Sequence, residues 1–181
     1  MTRLGVASAA LPELQCDDAS LAAGGGAAPL DEATLRYIDA MRTPFDLLRQ
    51  AAGQIAGVLV LAVSSQRGVA GHPMLGLAAR ARAEAADALR GAHPPPRGLH
   101  HHRHLMQAEE AIGAALDAAR LHRRGGDDAA TDAVLQPLRA GFAELQFAAG
   151  ALPGFEVVAF AQGCCARHAA AAGVAPAPTN R

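Results

Sequence analysis

"TPFDLLRQAAGQIAGVLVLAV", residues 43–63, decides the fold class, because it can be read with two different periods. At 3.6 residues per turn, Phe45, Leu48, Ala52, Ile55, Leu59 and Ala62 share one face, the mark of an amphipathic helix. Thr43 stands where an N-cap would, Pro44 at a first helical position, and Asp46 three residues beyond Thr43 imitates a capping box. From Ile55 onward the segment is apolar all round, so a helix here is expected to be buried centrally. The run "GVLVLAV" at 57–63 also suits a strand on propensity, and over residues 55–63 helix and strand both remain open.

Composition favours the helix. Ala is abundant, aromatic residues make up 3% of the chain, and hydrophobic residues 51%, enough for a sizeable core made of Leu, Val, Ile and Ala. An all-α protein is expected: a single-domain bundle of four or five long helices with a short N-terminal helix. The bundle should occupy residues 30–172, between a flexible or loosely packed arm at 1–29, rich in Ala and Gly without periodicity, and a flexible tail at 173–181.

Working outward from 43–63, "LDEATLRYIDAM" precedes it as a short helix with Asp31 as N-cap and Leu35, Ile38 and Met41 inward. A third helix is expected from Met74 to Arg90 on a stripe of Leu77, Ala81, Ala85 and Ala88, stopped by "HPPPRG". A fourth runs from Leu99 to Arg123, with Gly125 as a left-handed cap and Arg120, His122, Arg123 and Arg124 near its negative end. The fifth starts at Asp127 or Asp128, carries Leu135, Leu138, Phe142, Leu145 and Ala149, and should bend at Pro137. "LPG" at 152–154 closes it before a sixth segment, "FEVVAFAQGCCARHAAAA".

Charge and residue types remove several functions. The net charge is -1 with no basic stripe, which disfavours nucleic acid or an anionic membrane as partner. All 16 basic residues are Arg, so Schiff-base chemistry, a phosphate-loop lysine and a lysine general base are excluded. Three cysteines, two of them adjacent, do not make a disulfide framework, and a reducing cytoplasm is expected. The nine-residue apolar run at 55–63 is too short to span a bilayer by itself. There is no C-x-x-C-H for covalent haem and no Glu-x-x-His for a di-iron bundle, and no catalytic constellation stands out.

Candidate chemistry lies in two stretches. "GLHHHRHLMQAEEAI", residues 98–112, holds His100, His101, His102 and His104. At 100° per residue, His101 falls inside the stripe of Leu105, Ile112 and Leu116; His102 and His104 lie on its borders; His100 faces solvent. In the last segment Cys164 and His168 stand four apart on the apolar stripe, a spacing from which two side chains can ligate one metal. Cys164, His168, His101 and His104 are therefore candidate ligands for zinc, copper or haem, provided the fourth and last helices are neighbours. The structural alternative is that buried Cys and His simply pack. The favoured function is protein–protein interaction or self-association, since Ala-rich stripes bury little apolar area per residue and a homo-oligomeric or partner interface would supplement them.

Overall fold

The computed structural model describes residues 29–65, 68–122 and 128–157. The chain divides into two units, Met1–Leu30 and Asp31–Arg181, and the fold described below belongs to the second. Its described elements are α1 (Glu32–Ser65), α2 (Pro73–Gly91), a 3-10 turn (Pro96–Gly98), α3 (Leu99–Leu121) and α4 (Asp128–Ala151). No strand occurs among the described residues, and residues 55–63 are helical.

The expected break at Thr43 and Pro44 is absent: the short helix and the one that follows are a single helix of 34 residues with Pro44 inside it. The reason is visible in the spacing of the buried positions. Thr34, Ile38, Met41, Phe45, Leu48, Ala52, Ile55, Leu59 and Ala62 alternate steps of four and three without interruption across Pro44. Such a seam faces its partners along its whole length only if the helix is continuous. An interior proline costs about 3 kcal/mol or more. Buried Ile38, Met41, Phe45 and Leu48 around it, each worth about 1.5–3 kcal/mol on full burial, outweigh that cost. Asp46 does not cap; it pairs with Arg49 at 3.0 Å. The N-cap is Asp31, whose carboxylate accepts from the Thr34 backbone N–H at 2.8 Å and its hydroxyl at 2.9 Å. Those bonds hold the Asp31 carboxyl below the usual carboxylate range.

The same four–three spacing recurs in α3 (His101, Leu105, Ala108, Ile112, Ala115, Ala119) and α4 (Val134, Leu138, Gly141, Leu145, Ala148). The buried positions correct the stripes expected in α2 and α4. In α2 the buried residues are Leu75, Ala78, Ala81, Ala85, Ala86 and Leu89, while Leu77 and Ala88 are exposed, because turning the helix this way buries two leucines rather than one. In α4, Leu135, Phe142 and Ala149 are only half-buried, and Leu35 of α1 is likewise exposed.

α1 packs on α2, α2 on α3, α3 on α4, and α1 touches both α3 and α4. Side-chain and loop contacts set the directions. Tyr37 near the start of α1 meets His101 near the start of α3. At the other end, the backbone N–H groups of Val69 and Ala70 donate to the His122 carbonyl, tying the α1–α2 connection to the end of α3. His104 meets Glu144 in the second half of α4. Successive helices therefore alternate in direction, as in an up-down-up-down bundle.

The connections follow the turn chemistry of the chain. Gly71, at φ 78°, makes the bend before α2, and His72 caps α2 by accepting from the Met74 N–H at 3.2 Å, with Pro73 at the first helical position. α3 ends two residues earlier than expected, at Leu121, and His122 is its buried C-cap; Arg123, Arg124 and Gly125 lie outside the described residues. After α4, Gly154 takes φ 92° and Phe155 turns back into the core. Residues 155–157 are not helical, which corrects the expected start of the sixth segment; the rest of that segment lies outside the described residues.

Candidate functional site

Two features of this bundle exceed what the core requires: the histidine-bearing end of α3 and the outer face of α1.

Gly98 opens the first. A Cβ at Gly98 would stand 3.0 Å from the Tyr37 ring, so the glycine lets Tyr37 slide beneath the start of α3. Tyr37 Oη then lies 3.1 Å from His101 Nδ1. His101 is fully buried, with Phe155 tilted against its ring at a centroid distance of 4.2 Å. Its Nε2 is buried with no hydrogen-bond partner in the described structure. Burial, with smaller contributions from His102 and His104, pushes the His101 pKa down to about 4, so the ring is neutral at pH 7. Burial also raises the Tyr37 phenol above its ordinary value.

His104, expected at the border of the stripe, is buried. Its Nδ1 lies 2.6 Å from Glu144 Oε2, and its Nε2 lies 3.1 Å from His100 Nε2. Arg103 Nη2 stands 2.7 Å from His100 Nδ1. Donor and acceptor roles follow from the ends of this chain. A guanidinium only donates, so His100 Nδ1 accepts and a neutral His100 carries its proton on Nε2. A carboxylate only accepts, so His104 Nδ1 donates and its Nε2 lone pair receives the His100 proton. Arg103, His100, His104 and Glu144 thus form one directed chain. Burial and the nearby His104 and Arg103 hold the His100 pKa below its ordinary value, in keeping with a neutral ring. Phe147 covers His104 from α4 at 5.4 Å between centroids.

Of the four sequence candidates, His101 and His104 sit on adjacent turns but point to different partners, while Cys164 and His168 lie outside the described residues. Among the described residues no group of three or more His, Cys, Asp or Glu is arranged to hold a metal ion. The residue missed was His100. Its four-residue spacing from His104 was visible, but Glu144, forty positions away, was not.

The second feature lies on the other side of the molecule's long helix. Gly53, Gly57, Val60, Leu61 and Ser64 fall at steps of four, three, one and three, and all are exposed, Val60 at 67% and Leu61 at 59%. A Cβ built at Gly53 or Gly57 would meet no described atom within 4 Å. Gly53, Gly57, Val60 and Leu61, with Met74 from α2, line a shallow, mainly apolar groove that Gln50, Gln54 and His72 border. The apolar end of α1 is therefore not buried centrally, as expected from its composition, but shows one side outward. By length and composition Glu32–Ala62 is also apolar enough to cross a bilayer, with 44% of its most apolar stretch buried in the bundle.

Comparison with known protein families, with characterised proteins and with solved structures finds no match for this chain.

Proposed function

We propose that the protein works by self-association, two copies packing through the outer face of α1 at Gly53, Gly57, Val60 and Leu61. The observation that carries this reading is the pair of glycines. Each costs about 0.5–1 kcal/mol relative to Ala in an exposed helix interior. The chain uses Ala freely, and nothing among the described residues occupies the space a methyl would take at either position. Glycines one turn apart do gain something when a second helix backbone must approach closely, and Val60 and Leu61 beside them supply the apolar contact. A two-fold axis makes a single such patch complementary to itself, so a second copy is a sufficient occupant.

The two states respond oppositely to one substitution. In an isolated bundle, Gly53→Ala with Gly57→Ala raises thermal stability, by about 0.5–1 kcal/mol per site. In the associated protein the same change weakens the dimer by about tenfold or more, the equivalent of 1.4 kcal/mol. Sedimentation equilibrium at micromolar concentration reads both species. A strictly monomeric wild type, or a double variant that associates as tightly as wild type, would remove the proposal. Flotation of a monomer with neutral phospholipid vesicles would assign the face to lipid instead.

A further inference from the structure

We propose that His100 and His104 form a surface site for a divalent transition-metal ion, oriented by Glu144 and independent of the association face. The two Nε2 atoms, one helical turn apart, already converge to 3.1 Å. With metal–nitrogen bonds of about 2.0–2.1 Å, two imidazoles on one ion stand about 2.9 Å apart at a right angle and about 3.3 Å apart at a tetrahedral one. The observed gap lies between these values, so the spacing of the two nitrogens already suits a shared ion.

Glu144 is the second observation. Its carboxylate accepts from His104 Nδ1 at 2.6 Å, the arrangement that fixes the tautomer of a ligating histidine and raises its basicity. His104 is thereby held with its Nε2 lone pair outward, toward His100. The Glu144 and His104 side chains are 23% and 8% exposed, so this half of the site is built into the α3–α4 contact, while His100 is the half open to solvent. His102, on the same turn, and His101 are not part of it: His101 Nδ1 is taken by Tyr37 and its ring is sealed under Phe155. His101 therefore drops from the set of ligands expected from the sequence, and His100 replaces it.

Entry of the ion leaves the proton count unchanged. The proton that His100 carries on Nε2, and shares in a hydrogen bond with His104 in the metal-free state, moves, through water, to His100 Nδ1, and exposed Arg103 swings away from that nitrogen. Both Nε2 lone pairs then face the ion, and water completes the coordination. Imidazole donors select the borderline cations, with copper(II) tightest and nickel(II) and zinc(II) below it.

Ni²⁺ alone, titrated into the full chain carrying no histidine tag, is the probe. In ¹H–¹³C spectra of the aromatic rings, substoichiometric Ni²⁺ is expected to broaden His100, His104 and Phe147 before His72, His93 or His122. By calorimetry, H100A, at an exposed position that leaves the fold intact, should bind at this site at least tenfold more weakly. E144Q, which touches no ligand atom, should lose about 10–100-fold. Broadening that starts at the other histidines, an H100A variant that binds as tightly as wild type, or no Ni²⁺ binding at all would each overturn the site.

Discussion

His101 occupies a seam position whose successors on α3, Leu105, Ala108 and Ile112, are all apolar, and this decides how the protein responds to acid. An imidazole sealed under Phe155 and bonded to Tyr37 stays neutral down to about pH 4, whereas in the unfolded chain it protonates near 6.5. Between those values the unfolded state binds the extra proton. Stability is therefore full above about pH 6.5 and falls as the pH drops toward 4, by about 3 kcal/mol from this residue at most. Urea denaturation at pH 7.5 and at pH 4.5, with a chelator present, should show that loss in the wild type and a smaller one in H101L. A variant with the full wild-type loss would mean that other groups carry it. The inward direction of His101 was legible from helical angles alone. The burial of His104 was not, because it depends on a carboxylate from a different helix.

At the scale of the element, glycine has opposite meanings on two faces of the bundle. Gly141 sits in the α4 seam, and a Cβ there would come within 2.9 Å of the Ile112 side chain and 3.3 Å of its backbone nitrogen. The helices α3 and α4 approach closely because that position is empty. G141A must push them apart or force Ile112 off its rotamer, a cost of about 1–3 kcal/mol. Thermal or urea denaturation should show G141A destabilised, with stability unchanged or raised in G57A at concentrations where the protein is monomeric. If G141A matched the wild type, α4 would not be seated on Ile112 as described. Gly113 is a milder case: the atoms nearest a methyl there belong to the far end of a flexible side chain, the Arg82 guanidinium, which bridges α2 to α3 through the Glu109 carboxylate at 2.7 Å. Local signals read correctly where caps and breakers decide, as at Asp31 and the prolines after His93. They misled at Pro44, where a cap signature of local origin was overridden by a seam continuing across it for the length of α1. The rotations of α2 and α4 had a similar cause. Each Ala-rich helix offers several stripes of nearly equal hydrophobicity, and only the neighbouring helices choose among them.

For the whole molecule, the all-α class followed from composition and from helical spacing, and the four helices among the described residues agree with the four or five long ones expected, whereas their directions were not read from the sequence. What composition could not distinguish is the difference between a helix buried on every side and one that keeps an apolar face for another copy, since "GVLVLAV" satisfies both. The outward residues decide how such an association behaves. Gly53, Gly57, Val60, Leu61 and Met74 carry no charge, so the interface proposed for them gains nothing from Coulomb attraction and loses nothing to screening. Raising the salt concentration tenfold should leave the dimer dissociation constant unchanged or lower it slightly. A marked weakening would point to ion pairs and hence to a different face. Because only the folded protein associates, the melting temperature should rise with protein concentration, gaining about 2.7 kcal/mol of apparent stability at a hundredfold excess over the dissociation constant. V60D removes both effects by placing a carboxylate on the face without touching the core seam. In V60D the melting temperature should no longer depend on concentration, while its value at high dilution stays that of the wild type. A concentration dependence that survived V60D would move the contact elsewhere on the bundle.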